Sequence, residues 1–293
     1  MDRTLNKETN VSAITEAGSS KFIDVTEGEI NGSIHVNDAG NGDEVVVMFH
    51  GSGPGASGWS NFHRNVDAFV DAGYRVLLID SPGFNKSYPI VTKSRDGAYA
   101  QAAKGVLDKL GIKRAHMIGN SMGGATAMRM AVDYPEMVGK LIMMGGGSVG
   151  ASTTVPMPTE GLKLLQGLYR NPTMENLRKM LDIFVYAPST LTEDLINGRF
   201  ENMMRRPEHL SNFVESLKSS GGRANYAHLL PTLTMPTMII WGRDDRFVPL
   251  DLGLRMLWGM PDAELHVFSK CGHWAQWEHA DKFNQLVLNF LAR

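Results

Sequence analysis

The chain of 293 residues carries 29 Lys and Arg against 31 Asp and Glu, a formal net charge of −2 with histidine neutral. Hydrophobic residues make up 43% and charged residues 20%, which excludes disorder and describes a globular protein of one or two domains with a sizeable core. Near-even charge without a basic run excludes a nucleic-acid partner on electrostatic grounds.

Residues 1–19 are polar and close on Ala17, Gly18 and Ser19, which predicts a loosely ordered arm ahead of the fold. The opening stretch MDRTLNKETN lacks the apolar core of a signal peptide. The longest apolar runs, at 45–49 and 235–241, fall far short of the ~20 residues a spanning helix needs. The expectation is a cytoplasmic protein with no membrane partner, and the single Cys271 leaves no intrachain disulfide to form.

Two alternating stretches, 21–25 and 33–37, flank a polar turn and predict an antiparallel strand pair at one sheet edge. Strand patterns at 44–49, 75–80, 115–119 and 140–144 then alternate with helical patterns at 61–72, 95–110 and 122–134. Strands apolar on both faces and separated by helices predict a largely parallel sheet covered on both sides, with right-handed crossovers. From 150 to 228 the pattern turns wholly helical, at 158–170, 173–186, 192–205 and 207–219. Thr192 with Glu193 and Asp194 supplies a cap and an acidic first turn, and Pro172 and Pro207 sit where an early-turn proline is tolerated. Strands at 237–241 and 264–268 and helices at 250–258 and 280–291 resume the alternation. The helical block is therefore predicted to insert over the carboxyl ends of the strands as a lid, on a core of 20–149 and 229–293.

The segment Gly119-Asn120-Ser121-Met122-Gly123 is a G-x-S-x-G match between a predicted strand and a predicted helix. A nucleophile on so sharp a turn needs small neighbours, which Gly119 and Gly123 supply, and the following helix start favours developing negative charge. A serine hydroxyl is weak at neutral pH and requires a base and an orienting acid. Asp245 and His273 each follow a later strand, giving the order Ser, Asp, His of the α/β-hydrolase fold. Asp244 is the rival acid. Asp245 is preferred because it lies three residues after Gly242, where that loop usually carries the acid. His266, His279 and Cys271 read as packing residues, and the spacing around Glu278 fits no usual metal-ligand set, so no metal is expected. The loop His50-Gly51-Ser52-Gly53-Pro54-Gly55 follows the strand at 44–49 and offers the Ser52 N–H as an oxyanion donor beside that of Met122. It lacks the Walker pattern, which disfavours a nucleotide.

From about Ser20 to Arg293 the residues resemble the meta-cleavage product hydrolases of bacterial aromatic degradation, through HGSGPGASGWSNF, DSPGFNKS, GNSMGG, PMPTEG, WGRDDRFVPLD and CGHWAQWEHADKFNQLVLNFL. The resemblance implies a mostly parallel eight-stranded sheet under a helical lid, no cofactor, and a homo-oligomer of two or more copies. It implies as substrate a 2-hydroxy-6-oxohexa-2,4-dienoate, cut by water between carbons 5 and 6 into 2-hydroxypenta-2,4-dienoate and a carboxylic acid. By the same resemblance Arg199, Asn120, Asn61 and Trp274 hold the dienoate end, Gly51 and Gly53 border the substrate, and Phe184, Phe247 and Val248 line the pocket for the group on carbon 6. An aryl or alkyl group is expected there. Without the resemblance, Arg199 reads as a surface arginine no better placed than Arg205 or Arg206. A serine esterase with the same triad and a non-catalytic small-molecule receptor of the same fold are the rival readings. A haloalkane dehalogenase is disfavoured because the elbow carries Ser121 rather than aspartate.

Overall fold

The predicted strands assemble into one sheet: β1 (Ser20–Glu27), β2 (Ile30–Ala39), β3 (Val45–Phe49), β4 (Arg75–Ile79), β5 (Ala115–Asn120), β6 (Val138–Met144), β7 (Thr237–Gly242) and β8 (Ala263–Phe268). This computed structural model describes residues 14–220 and 224–293. The spatial order is β1-β2-β4-β3-β5-β6-β7-β8. The β1–β2 hairpin forms one edge, β2 runs antiparallel to β4, and the remaining neighbours are parallel.

Period-2 alternation sends successive side chains of each strand to opposite faces. Val46 and Met48 face a layer of α2 (Gly58–Asp71), α10 (Ala275–Glu278) and α11 (Ala280–Leu291), with Phe62, Val66, Phe69, Phe283 and Val287 as its core. Val47 and Phe49 face α3 (Arg95–Lys109), α4 (Met122–Asp133) and α9 (Asp251–Gly259). Both faces are therefore covered, as a parallel sheet requires.

Between β6 and β7 lie four helices: α5 (Glu160–Arg170), α6 (Met174–Phe184), α7 (Glu193–Arg205) and α8 (Pro207–Ser219). Thr159, Thr173 and Thr192 cap the first three through their side-chain oxygens, and Pro207 opens the fourth. Val149 and Asn225 pair antiparallel where the block leaves and rejoins the core. Buried residues of these helices, among them Leu168, Leu181, Ile196 and Phe213, belong to the same apolar cluster as α3, α4 and α9.

Two short elements depart from the sequence expectation. Residues 16–19, expected as loose arm, form α1 (Glu16–Ser19), capped by Thr15. Asn37 Nδ2 donates to the Glu16 carbonyl at 2.8 Å and to Ser19 Oγ at 2.9 Å, so a buried polar group on β2 holds the helix in place. The rest of that expected arm, 1–13, lies outside the described residues. The four-residue α10 has too little length for a periodic signal.

Asp38 on β2 accepts from Arg75 Nε at 2.9 Å and Nη2 at 2.8 Å and from Lys21 Nζ at 2.7 Å, linking β1, β2 and β4. Burial alone raises its pKa, but these cations outweigh burial and hold the carboxyl below its usual range. A lowered native pKa contributes stability above the unfolded value, lost as pH falls through the native one. Asp38→Asn is expected to cost about 1–2 kcal/mol at pH 7, discounted because both cations are partly exposed. The melting-temperature gap to the parent should begin to narrow below about pH 4 and close as pH falls through the lowered native value; a gap constant down to pH 3 would refute the linkage.

Candidate active site

Ser121 sits between β5 and α4 at φ 56° and ψ −114°, a left-handed backbone strained for a residue with a Cβ. Two close approaches make the strain unavoidable. A side chain on Gly119 would meet the Gly123 carbonyl oxygen at 2.2 Å, and one on Gly123 would meet the Phe49 carbonyl oxygen at 2.0 Å. Only glycines let α4 leave β5 so steeply, and the turn sets Ser121 on the wall of a cavity of about 940 Å³ under the helical block.

His273 Nδ1 lies 2.7 Å from Asp245 Oδ2, with both side chains buried. Asp245 Oδ1 accepts from the backbone N–H of Phe247 at 2.7 Å and Val248 at 3.0 Å, which fixes the carboxylate. Asp244 instead pairs with Arg243 near the surface. Phe184 and Phe247 stack with centroids 4.1 Å apart, and each lies over the imidazole, at 5.3 and 5.1 Å. His273 Nε2 is buried and has no partner among the described residues, so no hydrogen bond joins it to Ser121 Oγ. The two groups flank one dipeptide at the end of β6. A side chain on Gly145 would meet the imidazole at 2.8 Å, and one on Gly146 would meet the Ser121 carbonyl oxygen at 2.1 Å.

The glycine-rich loop is held from below by His50, whose Nε2 accepts from the Ser81 N–H at 3.0 Å while Nδ1 donates to the Gly51 carbonyl at 2.8 Å. Burial keeps this imidazole neutral by lowering its pKa. Gly51, Ser52, Gly53 and Met122 line the cavity with Ser121. Met122 opens α4, where a helix leaves its first N–H groups without intrahelical partners. Asn120 Nδ2 donates to the His273 carbonyl at 3.2 Å and its Oδ1 accepts from Asn61 at 3.4 Å, so the elbow, the histidine loop and α2 are pinned together.

Arg199, on α7, enters the cavity wall rather than the surface and is 1% exposed. Its Nη2 makes one long bond, 3.4 Å, to the Gly53 carbonyl, and its Cζ lies 5.1 Å from the centre of the Trp274 ring. Nε and Nη1 have no partner and no carboxylate pairs with it among the described residues. Burial lowers its pKa to about 10, which leaves it charged at neutral pH. An uncompensated buried cation of this kind costs several kcal/mol and favours an anionic occupant. Arg205 and Arg206, equally available by sequence, bond to Asn85 and to the Ser87 carbonyl.

The structure thus groups Ser121, the glycine-rich loop, Asn61, Asn120, Arg199, Phe184, Phe247, Val248 and Trp274 on one cavity, with the Asp245–His273 pair behind its aromatic wall. Two residues escaped the sequence reading. Tyr169 donates to the Ser52 carbonyl at 2.5 Å, and only its burial in the fold distinguishes it on α5. Glu278 accepts from the Gly272 N–H at 2.7 Å and the Tyr186 N–H at 2.6 Å, and the His273 N–H donates to the Phe184 carbonyl at 2.6 Å. The end of α6 is thereby strapped to the histidine loop. An acid inside the apolar run HWAQWE is the signal that could have marked Glu278.

Residues 44–280 match the profile of the alpha/beta hydrolase fold family. A Pseudomonas protein called 2-hydroxy-6-oxononadienedioate/2-hydroxy-6-oxononatrienedioate hydrolase is 97% identical over 97% of this chain and 100% of its own length. Another of that description, from Paraburkholderia phymatum, is 59% identical over 95% and 98%. Among solved structures, a meta-cleavage product hydrolase of Pseudomonas fluorescens superposes with a TM-score of 0.80 at 32% identity, covering 93% of this chain and 97% of its own. The chain belongs to the meta-cleavage product hydrolases, carbon-carbon bond hydrolases of the alpha/beta hydrolase fold.

Proposed function

We propose that this enzyme hydrolyses the C5–C6 bond of a 2-hydroxy-6-oxonona-2,4-dienedioate or the corresponding trienedioate. The products are 2-hydroxypenta-2,4-dienoate and a four-carbon dicarboxylate. The observation that carries the reading is Arg199, a buried guanidinium on the wall that also holds Ser121, with two nitrogens that have no partner among the described residues. A planar fork of donors fits the C1 carboxylate bidentately. Simple esterase substrates carry no such group, which disfavours the esterase reading. The names of the most similar relatives support a carboxylate-ended chain on carbon 6, and the expected aryl or alkyl group gives way to it.

The chemistry requires two stages. Direct scission would leave an unstabilised carbanion, so the 2-hydroxy proton is first removed and a proton is delivered to C5, giving the 2-keto form. Arg199, Asn120, Asn61 and Trp274 hold the dienoate end during this step, and His273 is the proton carrier. Ser121 then attacks the C6 carbonyl, or directs water to it, with His273 as base and Asp245 fixing its tautomer. The N–H groups of Ser52 and Met122 receive the oxyanion. Collapse breaks C5–C6, the pair of electrons leaves as a dienolate conjugated with the C2 ketone, and water ends as OH on C6 and H on the C1–C5 fragment. The unpartnered His273 Nε2 supports this reading, because catalytic hydrogen bonds in ligand-free sites tighten on binding. The helices of 150–228 serve as the lid that keeps bulk water from the keto intermediate.

Absorbance decay with the dienedioate and a 6-methyl and a 6-phenyl dienoate, beside p-nitrophenolate release from p-nitrophenyl butyrate, tests the proposal. The highest kcat/KM is expected on the dienedioate. Faster turnover of the ester than of any dienoate would overturn the class, and preference for the 6-phenyl substrate would overturn the C6 group.

A further inference from the structure

A dienedioate brings two carboxylates into the cavity, and Arg199 can serve one of them. Among the described residues, the remaining cations on the cavity wall are Lys93 and Arg95. Lys93 is exposed, whereas Arg95, the first residue of α3, is half-buried. The guanidinium of Arg95 forms no hydrogen bond and no ion pair among the described residues, although Asp96 follows it directly. Asp96 is engaged elsewhere, accepting from the Tyr226 hydroxyl. What holds Arg95 is Phe213 of α8, whose ring centre lies 4.4 Å from its Cζ. Phe213 in turn stacks on Tyr169 at 4.4 Å and 6°, and Tyr169 donates to the carbonyl of Ser52 in the oxyanion loop. Both arginines reach Tyr169 electrostatically, opposing the rise that burial gives its phenol.

This arrangement is a built cation mount. Stacking on an aromatic face orients a guanidinium while leaving its edge N–H groups free. A carboxylate is the group that fork recognises, and the position suits it energetically. A half-exposed cation at the rim can take a second negative charge without the desolvation cost of burying it among Phe184, Phe247 and Leu252. We infer that Arg95 anchors the terminal carboxylate of the chain on carbon 6 and so sets the preference for dienedioates over monoanionic dienoates. The inference rests on the substrate reading above. The contact adds binding to ground state and transition state alike, so its loss should appear in KM rather than kcat.

The test compares parent enzyme, Arg95→Gln, Arg95→Lys and Lys93→Gln on the dienedioate and the 6-methyl dienoate. Arg95→Gln is expected to raise KM for the dienedioate about tenfold to thirtyfold, with kcat and the 6-methyl kinetics within about threefold of the parent. Arg95→Lys should recover part of the loss, since a point charge replaces the fork. Lys93→Gln should match the parent. Equal losses on both substrates, no loss in Arg95→Gln, or a dienedioate-specific loss in Lys93→Gln would each overturn the anchor. If the parent itself prefers the 6-methyl substrate, the substrate reading fails instead, so the two failures are distinguishable. Arg95→Lys, which keeps the stem and charge, preserves the comparison if the glutamine variant folds poorly.

Discussion

Ser121→Ala is expected to lower C5–C6 cleavage by at least about 10³-fold while substrate binding and ketonisation persist. In the proposed mechanism the alcohol oxygen serves only the second stage, in which the C6 carbonyl becomes tetrahedral, whereas proton movement to C5 depends on His273 and the groups proposed to hold the dienoate. Rapid mixing should therefore show decay of the dienolate absorbance without release of the dicarboxylate. Cleavage at the parent rate would remove Ser121 from the mechanism. The same position permits a check on the backbone. Alanine keeps a Cβ at φ 56° and should leave thermal stability near that of the parent. Glycine relieves the strain and should raise stability by roughly 1 kcal/mol, net of its own chain entropy. A glycine variant less stable than the alanine variant would mean that the elbow stores no strain.

Arg199→Gln is expected to reduce kcat/KM on dienoates about 10²-fold to 10³-fold, the loss of roughly 3–4 kcal/mol that follows removal of one partner from a buried charged pair. Folding stability should not fall with it. The guanidinium is a buried cation with two nitrogens that have no partner among the described residues, so removing it relieves a desolvation cost even as it loses contacts with Trp274. Activity and stability are predicted to move in opposite directions, and that separates a substrate clamp from a structural arginine. A melting temperature well below the parent's, with dienoate kinetics unchanged, would assign Arg199 to packing.

Glycine spacing, strand-helix alternation and the order Ser121, Asp245, His273 were legible without coordinates because each rests on local chemistry. The elbow needs Gly119 and Gly123 at the turn itself, where a side chain on either would collide with a backbone oxygen, that of Gly123 or of Phe49. Asp245 over Asp244 likewise followed from loop position, and the 2.7 Å contact with His273 agrees. Arg199 was legible only through resemblance. On α7 it sits near Arg205 and Arg206, and burial, which separates the three, comes from how α7 packs over the glycine-rich loop.

The sequence by itself determined the alternating core, the inserted helices and the residue types available for catalysis, because hydrophobic period, caps and turn glycines act over a few residues. Tertiary structure alone decided which polar groups are left without partners. Among the described residues, Arg199 Nε and Nη1 and His273 Nε2 have no partner, Arg95 is mounted on Phe213, and Glu278 ties the end of α6 to the histidine loop. Desolvation and pairing depend on neighbours far away along the chain, as in the 153-residue separation of Asn120 and His273. A one-dimensional pattern carries no record of such distances.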